Sequence, residues 1–154
     1  MAQQHTREST EAVLVREYPE RPWVGVGALI FREGRVLLVR RGHAPSLGEW
    51  SIPGGALEVG ETLAEGVKRE AREETGLEVE PVATVDVVDR IARDEAGRVQ
   101  FHYVLVDYLC RVTGGSEAFA DDAVGLRWAA MDELEEVAEF TREVIKKARG
   151  MVKS

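Results

Sequence analysis

The sequence predicts one domain of the α/β class, in the α+β sense: a mixed β-sheet flanked by helices. Three observations predict it. The 154 residues suit a single domain. The chain is 44% hydrophobic and 31% charged, an ordinary globular balance, and a domain of this size buries roughly two thirds of its unfolded surface without needing a disulfide or structural metal. Segments of strand character and helix character are interspersed rather than strictly alternating, which favours a mixed sheet over a purely parallel one.

Residues 1–21 are polar, end in Pro19 and Pro22 nearby, and read as an N-terminal arm with a short strand near Val13 to Val15. Residues 22–154 read as the domain. Trp23 to Phe31 (WVGVGALIF) and Arg35 to Arg41 (RVLLVRR) read as two strands, joined through Glu33-Gly34, where Gly34 is free to take positive φ. Gly42 to Gly48 is a loop. Glu49 to Ile52 is extended, and Pro53-Gly54-Gly55 breaks it. Thr62 opens a helix that runs to Thr75: Thr62 and Glu65 have capping-box spacing, and Gly76 stands where a C-cap belongs. Glu78 to Ala92 and Val99 to Val112 form a long hairpin across the turn Arg93 to Arg98. Gly114-Gly115 starts an acidic loop ending near Asp122, Val124 to Ala129 is a last strand, and Asp132 to Val137 and Thr141 to Arg149 are terminal helices.

The net charge of −8 argues against a protein that grips nucleic acid by its backbone. It leaves room for a small anionic substrate, because a metal ion can supply positive charge locally. Cys110, the single cysteine, excludes an intrachain disulfide and a thiolate cluster and reads as a small buried hydrophobe. No apolar run approaches a membrane span, and MAQQHTRESTEAV lacks the apolar core of a signal peptide. A cytoplasmic protein with no membrane partner is the expectation.

The informative segment is Gly55 to Leu77, GALEVGETLAEGVKREAREETGL. On an ideal wheel with Glu70 at zero, Leu63, Val67 and Ala71 fall at about 20°, about 60° and about 100°, the arc that should pack on the sheet. Glu74 falls at about 40°, inside that arc, and Glu73 at about 300°, on the Glu70 side. Spacings of three and four residues put the three carboxylates within reach of one another. Most glutamate-rich helices are solvated faces laced with surface ion pairs. An acid inside the apolar arc breaks that pattern, because burying an unpaired carboxylate costs several kcal/mol or forces protonation. A divalent cation resolves the conflict, since Mg²⁺ prefers carboxylate oxygen and is commonly held by carboxylates together with substrate phosphate. Gly66 is a second oddity: a mid-helix glycine costs about 1 kcal/mol against alanine. It leaves room for a metal or phosphate, or it permits close packing.

These residues resemble the signature of the Nudix hydrolase family. Gly55, Glu61, Arg69, Glu70, Ala71, Glu73, Glu74, Gly76 and Leu77 match every fixed position, with Ala71 a small occupant of an aliphatic one. A chance match at one start site is on the order of 10⁻⁹ to 10⁻¹⁰. The likeness extends from about Trp23 to Leu134 and includes Trp50-x-x-Pro53-Gly54-Gly55 and the Trp128 strand. The resemblance implies an α/β/α sandwich around the mixed sheet. It implies that Glu70, Glu73, Glu74 and the Gly54 carbonyl bind metal, Mg²⁺ or Mn²⁺. It further implies that Arg69 and Glu61 orient the glutamates and that Gly55 and Gly76 meet backbone requirements.

The activity it implies is hydrolysis of the diphosphate linkage of a nucleoside diphosphate derivative, ADP-ribose or a nucleotide sugar, by water attack on phosphorus. A general base must take the water's proton: Glu73, Glu74, or a loop acid, of which Asp122 and Asp121 are preferred to Glu117. Arg40, Arg41 and His43 stand where phosphate contacts belong, and surface charge accounts for each equally well. Trp50, Tyr103 and Phe31 are stacking candidates whose usual role in strands is core, and His102 reads as structural. The alternative substrate class is a nucleoside triphosphate. A non-catalytic nucleotide-sensing module is the rival of another class, and the complete glutamate set argues against it. A homodimer is compatible with the family.

Overall fold

The computed structural model describes residues 16–42, 48–117 and 125–152. In chain order these contain β1 (Trp23–Arg32), β2 (Arg35–Arg40), β3 (Trp50–Ser51), β4 (Gly54–Ala56), α1 (Leu63–Thr75), β5 (Leu77–Arg93), β6 (Val99–Gly115), β7 (Leu126–Ala129) and α2 (Glu139–Met151). The suggested strand near Val13 to Val15 lies outside the described residues.

β1 is the strand on which the rest is hung. One edge pairs in parallel with β6, Trp23–Ile30 against Tyr103–Cys110. The other edge forks. Gly25–Gly27 pair antiparallel with β4, the Ala28 N–H donates to the Pro53 carbonyl at 2.8 Å, and Phe31 and Arg32 pair with β2. The sheet runs β3-β2-β1-β6-β5, with β7 also on β2. Parallel and antiparallel ladders coexist, as the interspersed pattern predicts.

Alternation along β1 assigns its side chains to two cores. Ala28 and Ile30 pack with Val67 and Ala71 of α1, whereas Leu29 packs with Val144, Ile145 and Ala148 of α2. β2 divides the same way, Leu37 to one side and Val36 and Leu38 to the other. The result is a sheet sandwiched between two helices. The β1–β2 turn places Glu33 at φ 53° and Gly34 at φ 78°, the paired positive values of a tight hairpin whose twist matches its strands.

α1 begins and ends as its sequence dictates. Thr62 Oγ1 accepts from the Glu65 N–H at 3.1 Å while Glu65 Oε2 accepts from the Thr62 N–H at 3.3 Å. Gly76 closes the helix at φ 79°.

Three expectations need correction. Gly54–Ala56 is a strand rather than a break, because its glycines let the chain lie against β1: a Cβ on Gly54 would overlap the Val26 carbonyl. β6 continues through Gly114-Gly115, which pair with Glu78 and Leu77. Asp132 to Val137 is not a helix. Leu134 and Val137, 4% and 3% exposed, enter the core from successive turns, and Val137 bridges to Trp50. So short a segment gains too few helical hydrogen bonds to offset nucleation, so burial of its two apolar anchors decides its shape.

Two substitutions check this account in urea titrations. Thr62→Ala should cost about 1 kcal/mol through loss of the cap. Gly54→Ala should cost more, about 1–3 kcal/mol, because the obstructing atoms are backbone and cannot swing aside. Equal costs would remove the close approach of β4 and β1 as a constraint.

Candidate active site

The segment between β4 and α1 folds back onto the helix through Arg69. Its Nε and Nη2 donate to Glu61 Oε2 and Oε1 at 2.6 and 2.9 Å, a bidentate fork. Nη2 also donates to the Ala56 carbonyl at 3.0 Å, and Nη1 donates to Glu70 Oε1 at 2.9 Å and Glu73 Oε2 at 3.3 Å. One side chain thus ties loop, strand and helix together. Glu61 sits below the usual carboxylate range chiefly because of its hydrogen bonds from Arg69.

Glu70 lies against the backbone of Gly55: a Cβ there would fall 2.6 Å from the carboxyl carbon. Gly55 therefore serves the carboxylate's approach. Burial raises the Glu70 pKa, and Arg69 opposes it. Glu74 accepts from the Gly54 N–H at 3.0 Å. Burial first, and then the charge of Glu70, push it up to about 8. Glu73 is more open, with a side chain 57% exposed. The wheel is thus right about Glu74, the acid in the apolar arc.

Among the described residues no three carboxylate, imidazole or thiol groups converge closely enough to hold a metal ion as they stand. The donor set nevertheless suits a hard divalent cation. Glu70 and Glu74 are desolvated and repel each other, and among the described residues no cationic side chain touches Glu74. Gly66 does not open onto this region. A Cβ there would meet Leu57 Cδ1 at 2.8 Å and Glu61 Oε1 at 3.0 Å, so its role is close packing.

On the α2 side of the sheet a cavity of about 110 Å³ opens beside β4. Gly25 and Gly27 form its floor, Trp50, Tyr103 and Phe140 are among its walls, and Arg41 and Asp107 line it. Among the described residues the buried Nε of Arg41 finds no partner, and Arg41 lowers the proton affinity of Glu74. Arg40, one residue earlier on β2, points elsewhere and donates from Nε to the Gly48 carbonyl at 3.1 Å. Glu117 is paired with Arg32, beyond the cavity. Phe31 packs against the α2-side core. Asp121, Asp122 and His43 lie outside the described residues.

Sequence reading missed Gly25, Gly27, Arg16, Arg90 and Asp107, all lining the cavity. Two signals were present: alternate glycines inside a strand, which mark close approach, and an acid in the apolar run YVLVDYLC.

A mixed sheet between two helices, with a glutamate-rich helix clamped to a glycine strand beside a cleft, is the architecture of a phosphoanhydride hydrolase of the Nudix type. The chain belongs to the NUDIX domain family, whose model matches residues 21–148. It is 32% identical over 125 residues to an ADP-ribose pyrophosphatase of Methanocaldococcus jannaschii, covering 81% of this chain and 72% of that protein. Among solved structures it is similar to a MutT NUDIX hydrolase from Burkholderia pseudomallei, at 35% identity and TM-score 0.69, covering 83% of this chain and 98% of the other. It is also similar to an ADP-ribose pyrophosphatase from Streptococcus suis, at 26% identity and TM-score 0.64, covering 87% and 94%. Nudix hydrolases generally use divalent metals. Among the described residues no helix is long and apolar enough to cross a membrane.

The raised Glu74 pKa has a consequence for stability. From about pH 4.5, the ordinary value, up to about 8, the metal-free folded protein holds a proton that the unfolded chain has released. Its stability therefore falls as pH rises through that window. Urea titrations in chelator at about pH 6 and about pH 9 should show this loss in wild type and a much smaller one in Glu74→Gln. An unchanged slope in the variant would place the proton on another group.

Proposed function

We propose that the protein hydrolyses the diphosphate linkage of a nucleoside diphosphate derivative, with ADP-ribose the favoured substrate. The observation that carries this is the complete carboxylate set of α1 standing beside an arginine-lined cleft. The relative named an ADP-ribose pyrophosphatase, matched over 81% of this chain, supports the choice of substrate.

In this reading Glu70, Glu73, Glu74 and the Gly54 carbonyl hold Mg²⁺ or Mn²⁺. A bound divalent cation would neutralise phosphate oxygens and lower the pKa of water. Arg69, anchored by Glu61 and Ala56, donates to Glu70 and Glu73 and fixes their rotamers. Glu73 or Glu74 takes the proton of the attacking water at a carboxylate oxygen; Asp122 is the candidate from the loop. Gly55 gives Glu70 its place, and Arg41, which lines the cleft, meets a substrate phosphate with its guanidinium. Residues 22–154 act as one domain preceded by an arm.

A hydrolysis panel tests this: ADP-ribose, nucleotide sugars, nucleoside diphosphates and triphosphates, each with Mg²⁺, Mn²⁺ or chelator. AMP release from ADP-ribose that needs metal, with little action on triphosphates, is expected. Preference for triphosphates would replace the substrate class. Glu74→Gln should lower kcat by about 10²-fold or more, and hydrolysis at the wild-type rate would refute the metal assignment.

The two arginines should separate. Arg41→Ala should raise KM for ADP-ribose about tenfold, and Arg40→Ala should change it by less than about twofold. Equal effects would remove Arg41 from the phosphate site.

A further inference from the structure

Asp107 is a carboxylate in the middle of an apolar strand. It is 5% exposed and lines the cavity. Among the described residues no side chain donates to it or pairs with it, and burial, then the charge of Asp86, push its pKa up to about 6. Asp86, its partner across the β5–β6 ladder, has Lys147 within 3.6 Å. Asp107 has no such relief. Valine at this position would cost nothing, whereas a buried acid without a donor is costly. Such violations mark functional positions.

The location is specific. Asp107 stands opposite Gly27 on β1, and Gly27 stands opposite Gly54 on β4. Two strand spacings therefore separate Asp107 from Gly54, roughly 10 Å. A Cβ on Gly27 would collide with the Asp107 carboxylate and with Ile52 Cδ1, so the bare glycine keeps this end of the slot open. Ile52 and, two residues along β6, Leu105 are the walls beside it; Tyr103, opposite Trp23, and Phe140, stacked on Arg90 opposite Tyr103, line the cavity about 13 Å farther along the strand. An ionised carboxylate only accepts hydrogen bonds, so it calls for N–H or O–H donors. Apolar walls beside the carboxylate, continuing to aromatic side chains farther along the slot, suit a planar base; a sugar would bring hydroxyls that the apolar walls leave unpaired.

We infer that Asp107 is a specificity-determining residue that accepts a hydrogen bond from the exocyclic amine of the substrate's nucleobase. The inference rests on the proposed reading, with the diphosphate at the Gly54 end of the cleft and the base at the Asp107 end.

Calorimetric titration with AMP, GMP and IMP tests it, because IMP lacks the exocyclic amine. Wild type should bind AMP or GMP at least about tenfold more tightly than IMP. Asp107→Leu should erase that preference. Asp107→Asn, which keeps an acceptor oxygen, should retain most of it. Thermal unfolding of Asp107→Leu should be no lower than wild type; if that variant does not fold, Asp107→Val, which also lacks an acceptor, takes its place and should likewise erase the preference. Equal binding of all three nucleotides by wild type, or a preference that survives Asp107→Leu, would overturn the inference. So would a loss of affinity for 2′-deoxy-AMP that Asp107→Leu abolishes, which would assign the residue to sugar hydroxyls. ADP-ribose hydrolysis is scored separately. Metal-dependent turnover without base preference overturns only the Asp107 assignment, and base preference without turnover overturns only the reaction.

Discussion

The interactions of Arg69 are the constraint on which the candidate site depends. A guanidinium has five N–H donors in a fixed plane, and here that plane meets Glu61, Ala56, Glu70 and Glu73 together. Its fork to Glu61 holds the loop, and its bond to Ala56 holds the end of β4. Its bonds to Glu70 and Glu73 set the carboxylates. Three acids within two turns would otherwise repel one another and point to water. Lysine, a single point charge, could not span four partners in this geometry.

Backbone approach is the second constraint. β1 forks to β4 and β2 because Gly54 and Gly55 let β4 close on Gly25–Gly27. The same absence of side chains seats Glu70 and empties the floor of the cleft. Glycine thus serves the two faces of the sheet differently. On the α1 face it admits a carboxylate, and on the α2 face it leaves a slot. The helix of acids and the cavity are neighbours because one strand separates them.

The charge distribution follows from this layering. Glu70 and Glu74 are partly buried, and the charge of Glu70 raises the proton affinity of Glu74, so the need for a cation is greatest there. Glu73 remains open. Arg41 and Asp107 line the cleft, and among the described residues the Arg41 Nε has no partner and no side chain pairs with Asp107. Free polar groups of opposite character at separate places along one slot give it a direction, which a uniformly apolar cavity would lack.

Much was legible in the sequence because the signals are local. The capping box at Thr62, the C-cap at Gly76, the Glu33-Gly34 hairpin and the misplaced acid Glu74 depend on residues a few positions apart, and spacing alone fixes them. Membership of the family was carried by such a spacing too. What the tertiary structure decided is non-local. Arg41 lines the cleft and Arg40 does not, a choice set by the register of β2 in the sheet. Gly54–Ala56 is a strand only because β1 is there to pair with it. Asp132 to Val137 gave up helix for burial against Trp50. Asp107 acquires its meaning from Gly27 and Ile52, which are distant in sequence, and no periodicity reports which buried side chain finds no partner.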